Sequence, residues 1–242
     1  GLFVFTFRIQ HFKFRESMIP LPFPDPFRNL ASQLIEQIKI DLLPEYVKIV
    51  VISPSQAIIA QIYVTVFIAL VVSMPYLVYQ IIAFVSPALY SHEKKLIVKL
   101  VIPATILFLL GAIFAYTYVT PFSIEFLYRY AIPLGAETFI TIDGLISFVL
   151  RFVFGFGIAF QLPIFMWALT RAQIVGIDFW KNNIRYAFVA MVIFGAVITP
   201  DGSGVTMWLV AVPMMTLYLL GYWFIRRDKR NTNNLPVEIP QD

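Results

Sequence analysis

Cysteine is absent from the sequence, and histidine occurs only as His11 and His92. Without thiols there is no disulfide framework, no thiol chemistry and no cysteine-bound metal. Two histidines so far apart leave no basis for a histidine-rich centre, so neither a metal nor another cofactor is expected. A glycine-rich phosphate loop followed by lysine is missing, which removes an ATP-driven engine, and so is the HExxH zinc motif. Neither histidine lies within a long apolar run, so a Ser-His hydrolase of the membrane interior lacks its base. The chain is therefore not expected to be an enzyme, and no nucleic-acid partner is expected. Charge is scarce as well: Asp, Glu, Lys and Arg make up 13% of the residues, about half of the roughly 25% usual in a soluble domain.

What fills the 242 residues instead is apolar. AVILMFWYC account for 60%, with 24 Phe and 12 Tyr, and the mean hydropathy is +0.80. A soluble fold of this size needs more polar side chains to cover its surface. A lipid bilayer removes that need, and the aromatic residues suit lipid-facing and interfacial positions.

Crossing the hydrocarbon takes about 20 helical residues at about 1.5 Å each. Four segments meet that length: Ala57–Val85, Leu96–Val119, Ile146–Leu169 and Thr206–Ile225. Tyr186–Thr199 does not. It reaches about 21 Å against a core of about 30 Å, so it must thin the bilayer or be shielded by neighbours. Pro75, Pro103, Pro163 and Pro213 fall inside the long segments. Each removes a backbone donor and is expected to kink its helix. Bent helices and a short one predict a concave body.

Orientation follows from Lys and Arg. Lys94, Lys95 and Lys99, then Arg171, Lys181 and Arg185, then Arg226, Arg227, Lys229 and Arg230 all fall on one side. The opposite loops, Pro121–Asp143 and Pro200–Val205, hold only Arg129. The basic side is predicted to be cytoplasmic, with the C-terminus inside. The region before Ala57 then lies outside. There Asp25-Pro26 reads as a helix start, with Asp25 as N-cap. Phe27, Leu30, Ala31, Leu34, Ile35 and Ile38 recur at helical spacing, opposite Arg28, Gln33, Glu36 and Lys39. This amphipathic helix lies on the outer leaflet or, more simply, packs on its own protein. The expected organisation is a single membrane domain over residues 1–242. It has an outer loop at 6–56, five spans within 57–225 and a cytoplasmic tail at 226–242. Leu2–Phe5 reads as the tail of a further helix.

Polar residues inside spans are costly to bury and are candidates for function. Gln161, two residues before Pro163, either satisfies backbone groups loosened by the proline or hydrogen-bonds another helix. Arg151 snorkels outward or pairs with Asp143 or Asp201. Asp201 suits a tight turn in Thr199-Pro200-Asp201-Gly202. At the cytoplasmic end of the first long segment, Glu93 is the one carboxylate among Lys94, Lys95 and Lys99. The simpler reading is a solvated cap paired with those lysines. The functional reading is a carboxylate at a half-dry membrane edge, placed to accept a guanidinium through two parallel hydrogen bonds.

The segment Phe84–Lys95, FVSPALYSHEKK, resembles the first cytoplasmic loop of the TatC family, the core of the twin-arginine protein translocase. Matching motifs follow in order. Pro75-Tyr76 and Tyr79-Gln80 precede it; Gly111, Phe114-Ala115-Tyr116 and Pro121-Phe122 come next. Then follow Ser147-Phe148-Val149, Gly155-Phe156-Gly157, Phe160-Gln161-Leu162-Pro163, Arg185, Thr199-Pro200-Asp201, Pro213, Leu217-Tyr218 and Gly221. The resemblance covers roughly Ser53 to Phe224. It implies an all-α, polytopic membrane helix bundle of six spans, cupped in shape, with short fifth and sixth helices and both termini cytoplasmic. Leu2–Phe5 would be the end of a first span that is mostly missing. The family's N-terminal cytoplasmic segment, with a second signal-binding carboxylate, would lie upstream of Gly1, so this chain is expected to bind signal weakly or not at all. The long outer region is similar to archaeal members.

The resemblance also implies a receptor and scaffold. Twin-arginine signal peptides of folded precursors would bind at Glu93, with Phe84 and Leu89 lining the same surface. Single-span TatA/TatB-type subunits would be recruited into an oligomeric complex driven by the protonmotive force. Gln161, at a position that is often glutamate, and Thr199 would contact partner helices. Gln161 can hydrogen-bond there but cannot carry charge or take up a proton. A secondary transporter of a small solute is the alternative, disfavoured by the lack of a repeated half and of buried charges.

Overall fold

The computed structural model describes residues 4, 7–14, 17–24, 28–85, 94–171, 173–199 and 204–233. Two strands, β1 (Phe7–Phe14) and β2 (Ser17–Pro24), form an antiparallel hairpin that the hydropathy pattern did not announce. Pro20, Pro22 and Pro24 alternate along β2, opposite His11, Ile9 and Phe7. Proline cannot donate to a ladder, so it is tolerated where the amide would point away from the partner strand. At these three positions β2 has no amide to offer a further strand.

Helix α1 (Leu30–Leu42) follows. Its start differs from expectation: the N-cap is Asn29, whose side chain accepts from the Ser32 amide at 2.8 Å. Asp25, Pro26 and Phe27 lie outside the described residues. Asparagine caps as well as aspartate does, so spacing alone could not choose between the two sites. Ala31, Ile35, Ile38 and Leu42 form the buried face, at the i, i+4, i+7, i+11 spacing of one helix stripe. Strand β3 (Val47–Val50) comes next.

The long apolar helices begin with α2 (Ser55–Val85). Helix α3 (Lys94–Phe114) runs through a π-helical turn, Ala115–Val119, directly into α4 (Thr120–Arg129). The loop expected from Pro121 therefore begins instead as helix. Pro121 occupies the first turn of α4, where its missing N–H is least costly. The wider π turn just before it, with the Thr120 amide bonded to the Ala115 carbonyl, lets the chain pass. A short 3₁₀ turn, Ile132–Leu134, leads to strand β4 (Thr138–Thr141). Strand β4 pairs in parallel with β3, from Val47 opposite Thr138 to Val50 opposite Thr141.

Helices α5 (Ile142–Ala159) and α6 (Leu162–Arg171) make up the next long apolar segment, broken at Phe160-Gln161. Pro163 has no amide to give Ala159, so the helix cannot continue through it unbroken. A six-residue helix α7 (Ile177–Asn182) precedes α8 (Ile184–Ile198), whose 15 residues match the predicted short element. The last helix, α9 (Val205–Asn233), has 29 residues. The resemblance implied a short sixth span. Instead, the apolar part to Ile225 already covers about 31 Å, and the charged residues from Arg226 prolong the helix beyond it. Among the described residues, four helical stretches are long and apolar enough to cross a membrane, Ser55–Gln80, Leu100–Leu134, Ile142–Arg171 and Val205–Asp228, with Ile184–Ile198 shorter. The chain is a polytopic helical membrane protein.

The chain divides into two compact units, and the division falls within α2, α3 and α5. One comprises Gly1–Val78 and Ala112–Phe154. Its core combines the α1 stripe with Val64, Val119, Ile124, Leu145, Ile146 and Phe152, all buried. Asn29, fully buried, donates to Gln61 of α2 at 2.9 Å. The Tyr116 hydroxyl, on the π turn, donates to the Asp41 carboxylate of α1 at 2.7 Å. The other unit comprises Tyr79–Gly111 and Gly155–Asp242. Here α3 and α5 approach closely. A Cβ on Gly111 would meet the Phe156 carbonyl oxygen at 2.6 Å, and one on Gly157 would collide with the buried Phe108 ring. Small residues at such crossings let membrane helices gain contact without a hydrophobic driving force between them. Helix α9 packs on α6, α7 and α8.

Candidate functional site

The residues singled out by the sequence fall into two groups. At the basic edge, Phe84 is carried by the last turn of α2. Leu89 and Glu93 lie outside the described residues. The described residues resume at Lys94, which lies in α3.

The second group lies along the membrane helices. Gln161 sits in the break between α5 and α6. With Pro163 unable to donate, the Gln161 amide turns back to the Ile158 carbonyl at 2.9 Å, a tighter i−3 bond. The Gln161 carbonyl accepts from Phe165 at 2.9 Å and starts the next helix. Its side-chain Nε2 donates to the Ala104 carbonyl of α3 at 2.9 Å. Ala104 is 1% exposed, so this bond joins two helices in the interior. Side-chain Oε1 has no partner among the described residues and remains an acceptor.

Thr199 caps the C-terminal end of α8 and is buried. Its amide and its hydroxyl both donate to the Gly195 carbonyl, at 3.0 and 2.9 Å. The hydroxyl proton is thus committed, and only lone pairs remain for another group. No hydrogen bond joins Gln161 to Thr199 among the described residues. Arg151 is exposed and forms no ion pair with Asp143. Asp201 lies outside the described residues. No cluster of three or more His, Asp or Glu able to hold a metal occurs among the described residues.

One constellation escaped the sequence reading. Trp180 of α7 donates from Nε1 to the Thr170 hydroxyl of α6 at 2.8 Å. The Tyr218 hydroxyl of α9 donates to the Trp180 carbonyl at 2.6 Å. Nearby, the Trp167 indole donates to the Asp228 carboxylate at 3.2 Å. These bonds tie three helices together next to Arg171 and Lys181. Aromatic residues bracketing a basic loop were the only signal for them.

A family model described as Sec-independent protein translocase protein (TatC) matches residues 2–213. The Sec-independent protein translocase protein TatC of Cenarchaeum symbiosum is 41% identical over 228 residues, covering 94% of this chain and 86% of that protein. The protein of the same description from Aquifex aeolicus is 35% identical over 191 residues, 78% of this chain and 79% of its own. A crystal structure described as the twin arginine translocase receptor TatC superposes with a TM-score of 0.74 at 32% identity. It covers 83% of this chain and 88% of that one. The ordered motifs from Pro75 to Gly221 and these matches converge: the chain belongs to the TatC family, as a polytopic component of Sec-independent protein translocation.

Proposed function

We propose that the chain is the receptor and scaffold of a twin-arginine translocase in the cell membrane, a single membrane domain with its C-terminal tail in the cytoplasm. The observation that carries this reading is the likeness, over 83% of the chain, to a solved protein described as a twin arginine translocase receptor. Signal peptides of folded precursors bind at the cytoplasmic edge. Glu93 takes an arginine of the signal through paired N–H···O bonds, and Phe84 and Leu89 face its apolar part. Single-span partner subunits of the TatA/TatB type dock on the membrane helices. There Gln161 Oε1 accepts a hydrogen bond from a partner helix, and the Thr199 lone pairs offer a second polar point. The assembly is oligomeric and draws on the protonmotive force.

The test is crosslinking of a twin-arginine peptide to photoreactive side chains placed beside Glu93, with the family's N-terminal cytoplasmic segment joined ahead of Gly1. A crosslink is expected with the Arg-Arg peptide, lost with a Lys-Lys peptide and lost in Glu93→Ala. A crosslink untouched by Glu93→Ala removes the carboxylate from this role. No arginine-dependent crosslink at all rejects the receptor reading.

A further inference from the structure

Helix α6 has only ten residues, and the break before Pro163 frees it from the direction of α5. Gln161 belongs to its first turn, because the Gln161 carbonyl accepts from the Phe165 amide at 2.9 Å. The direction in which Gln161 presents its side chain therefore follows the direction of α6.

Two kinds of contact hold α6. Near its start, α9 comes within backbone contact. A Cβ on Gly221 would meet Pro163 Cα at 3.1 Å and Met166 Sδ at 3.2 Å, and Met166 is fully buried. Packing of this kind sets how close the helices lie. Hydrogen bonds, which weaken steeply off axis, set their angle. These are found at the far end. There the chain turns back through Gln173, whose φ of 57° is left-handed and uncommon outside glycine. The Gln173 and Ile174 amides close the helix on the Thr170 and Leu169 carbonyls, at 3.2 and 3.1 Å. The returning chain brings Trp180 to Thr170. The buried Tyr218 of α9 donates to the Trp180 carbonyl, and the Trp180 indole donates to the Thr170 hydroxyl. That hydroxyl donates in turn to the Met166 carbonyl at 2.9 Å. Because it accepts one bond and donates the next, the two strengthen each other.

We propose that Tyr218, Trp180 and Thr170 are positioning residues. Their relay from α9 to α6 sets the angle of α6 at the Gln161 break and so aims Gln161 Oε1 at the helix of a single-span subunit. The proposal rests on the reading of Gln161 as a partner-helix contact, and the three residues act through it.

Thr170→Val removes the hydroxyl at nearly constant volume, Thr170→Ser keeps it, and Tyr218→Phe removes the other end of the relay. The first readout is the nuclear magnetic resonance signal of the Gln161 side-chain amide in the full chain, identified by its loss in Gln161→Ala. It is expected to shift in Thr170→Val and in Tyr218→Phe, and to return in Thr170→Ser. A signal unmoved in both variants overturns the relay, whatever subunit binding does. The second readout is affinity for a coexpressed TatA/TatB-type subunit. Thr170→Val and Tyr218→Phe are each expected to lower it about fivefold, the worth of one hydrogen bond. Neither is expected to lower it further once Gln161 is alanine. A full additional loss in Gln161→Ala assigns the residues to general stability and overturns the proposal. If Gln161→Ala leaves subunit binding unchanged while the signal still moves, the relay is supported and the partner-contact reading of Gln161 falls. Should Thr170→Val fail to fold, Tyr218→Phe carries both readouts by the same criteria.

Discussion

Two side-chain amides show how much the surroundings of a residue decide. Asn29 is fully buried; its Oδ1 caps α1 and its Nδ2 reaches Gln61 on α2. Asn29→Ala removes a cap worth about 1 kcal/mol and strands the Gln61 oxygen at about 1 kcal/mol more. Asn29→Asp keeps the cap but not the donor. Thermal unfolding in detergent is expected to show the larger loss for alanine and a partial recovery for aspartate. Gln161 is different, because one of its two polar ends remains open. Gln161→Ala forfeits about 1 kcal/mol of interhelical bonding. Copurification with single-span subunits is expected to fall more than signal-peptide binding; equal loss of both rejects the division of roles. The sequence marked Gln161 because an amide inside an apolar run is unusual. It could not say that the partner is the Ala104 carbonyl, fifty-seven residues away, because that depends on how α3 and α5 cross.

At the scale of elements, the helices were legible and the irregular pieces were not. Hydropathy locates α2, α8 and the start of α9 to within two residues, because a run of apolar side chains in lipid has helix as its open solution. The strands β3 and β4 were not legible. Each has four residues, and they pair in parallel across about ninety positions of chain, a contact that no local pattern encodes. The π turn at Ala115–Val119 was hidden too, although Pro121 hinted that the helix had to adjust there. That turn places Tyr116 against Asp41 of α1. Tyr116→Phe is expected to cost about 1 kcal/mol. The loss is expected to appear as faster amide hydrogen exchange in the last turn of α1, while the membrane helices keep their protection.

At the scale of the whole molecule, the arrangement of charge predicts orientation. The chain has no cysteine, so single cysteines report topology without background. Leu134, 81% exposed after α4, and Asn231, near the end of α9, fall on opposite sides of the predicted membrane. Leu134→Cys is expected to react with a membrane-impermeant maleimide in intact cells. Asn231→Cys is expected to react only after permeabilisation. The reverse pattern overturns the assignment of the basic side to the cytoplasm.

By itself, the sequence determined that the chain inhabits a bilayer, how many apolar helices are long enough to cross it, and which loops carry positive charge. These are sums over local composition, and lipid leaves the backbone few alternatives. The ordered motifs from Phe84 to Gly221 also marked the family. Tertiary structure alone decided where α1 begins, how the chain passes Pro121, and which carbonyl the Gln161 amide reaches. It also decided that Arg151 is exposed, with no ion pair among the described residues, while its neighbours Val149 and Phe152 are buried. Each of these depends on which helix lies beside which, and that information is spread over residues far apart in the chain.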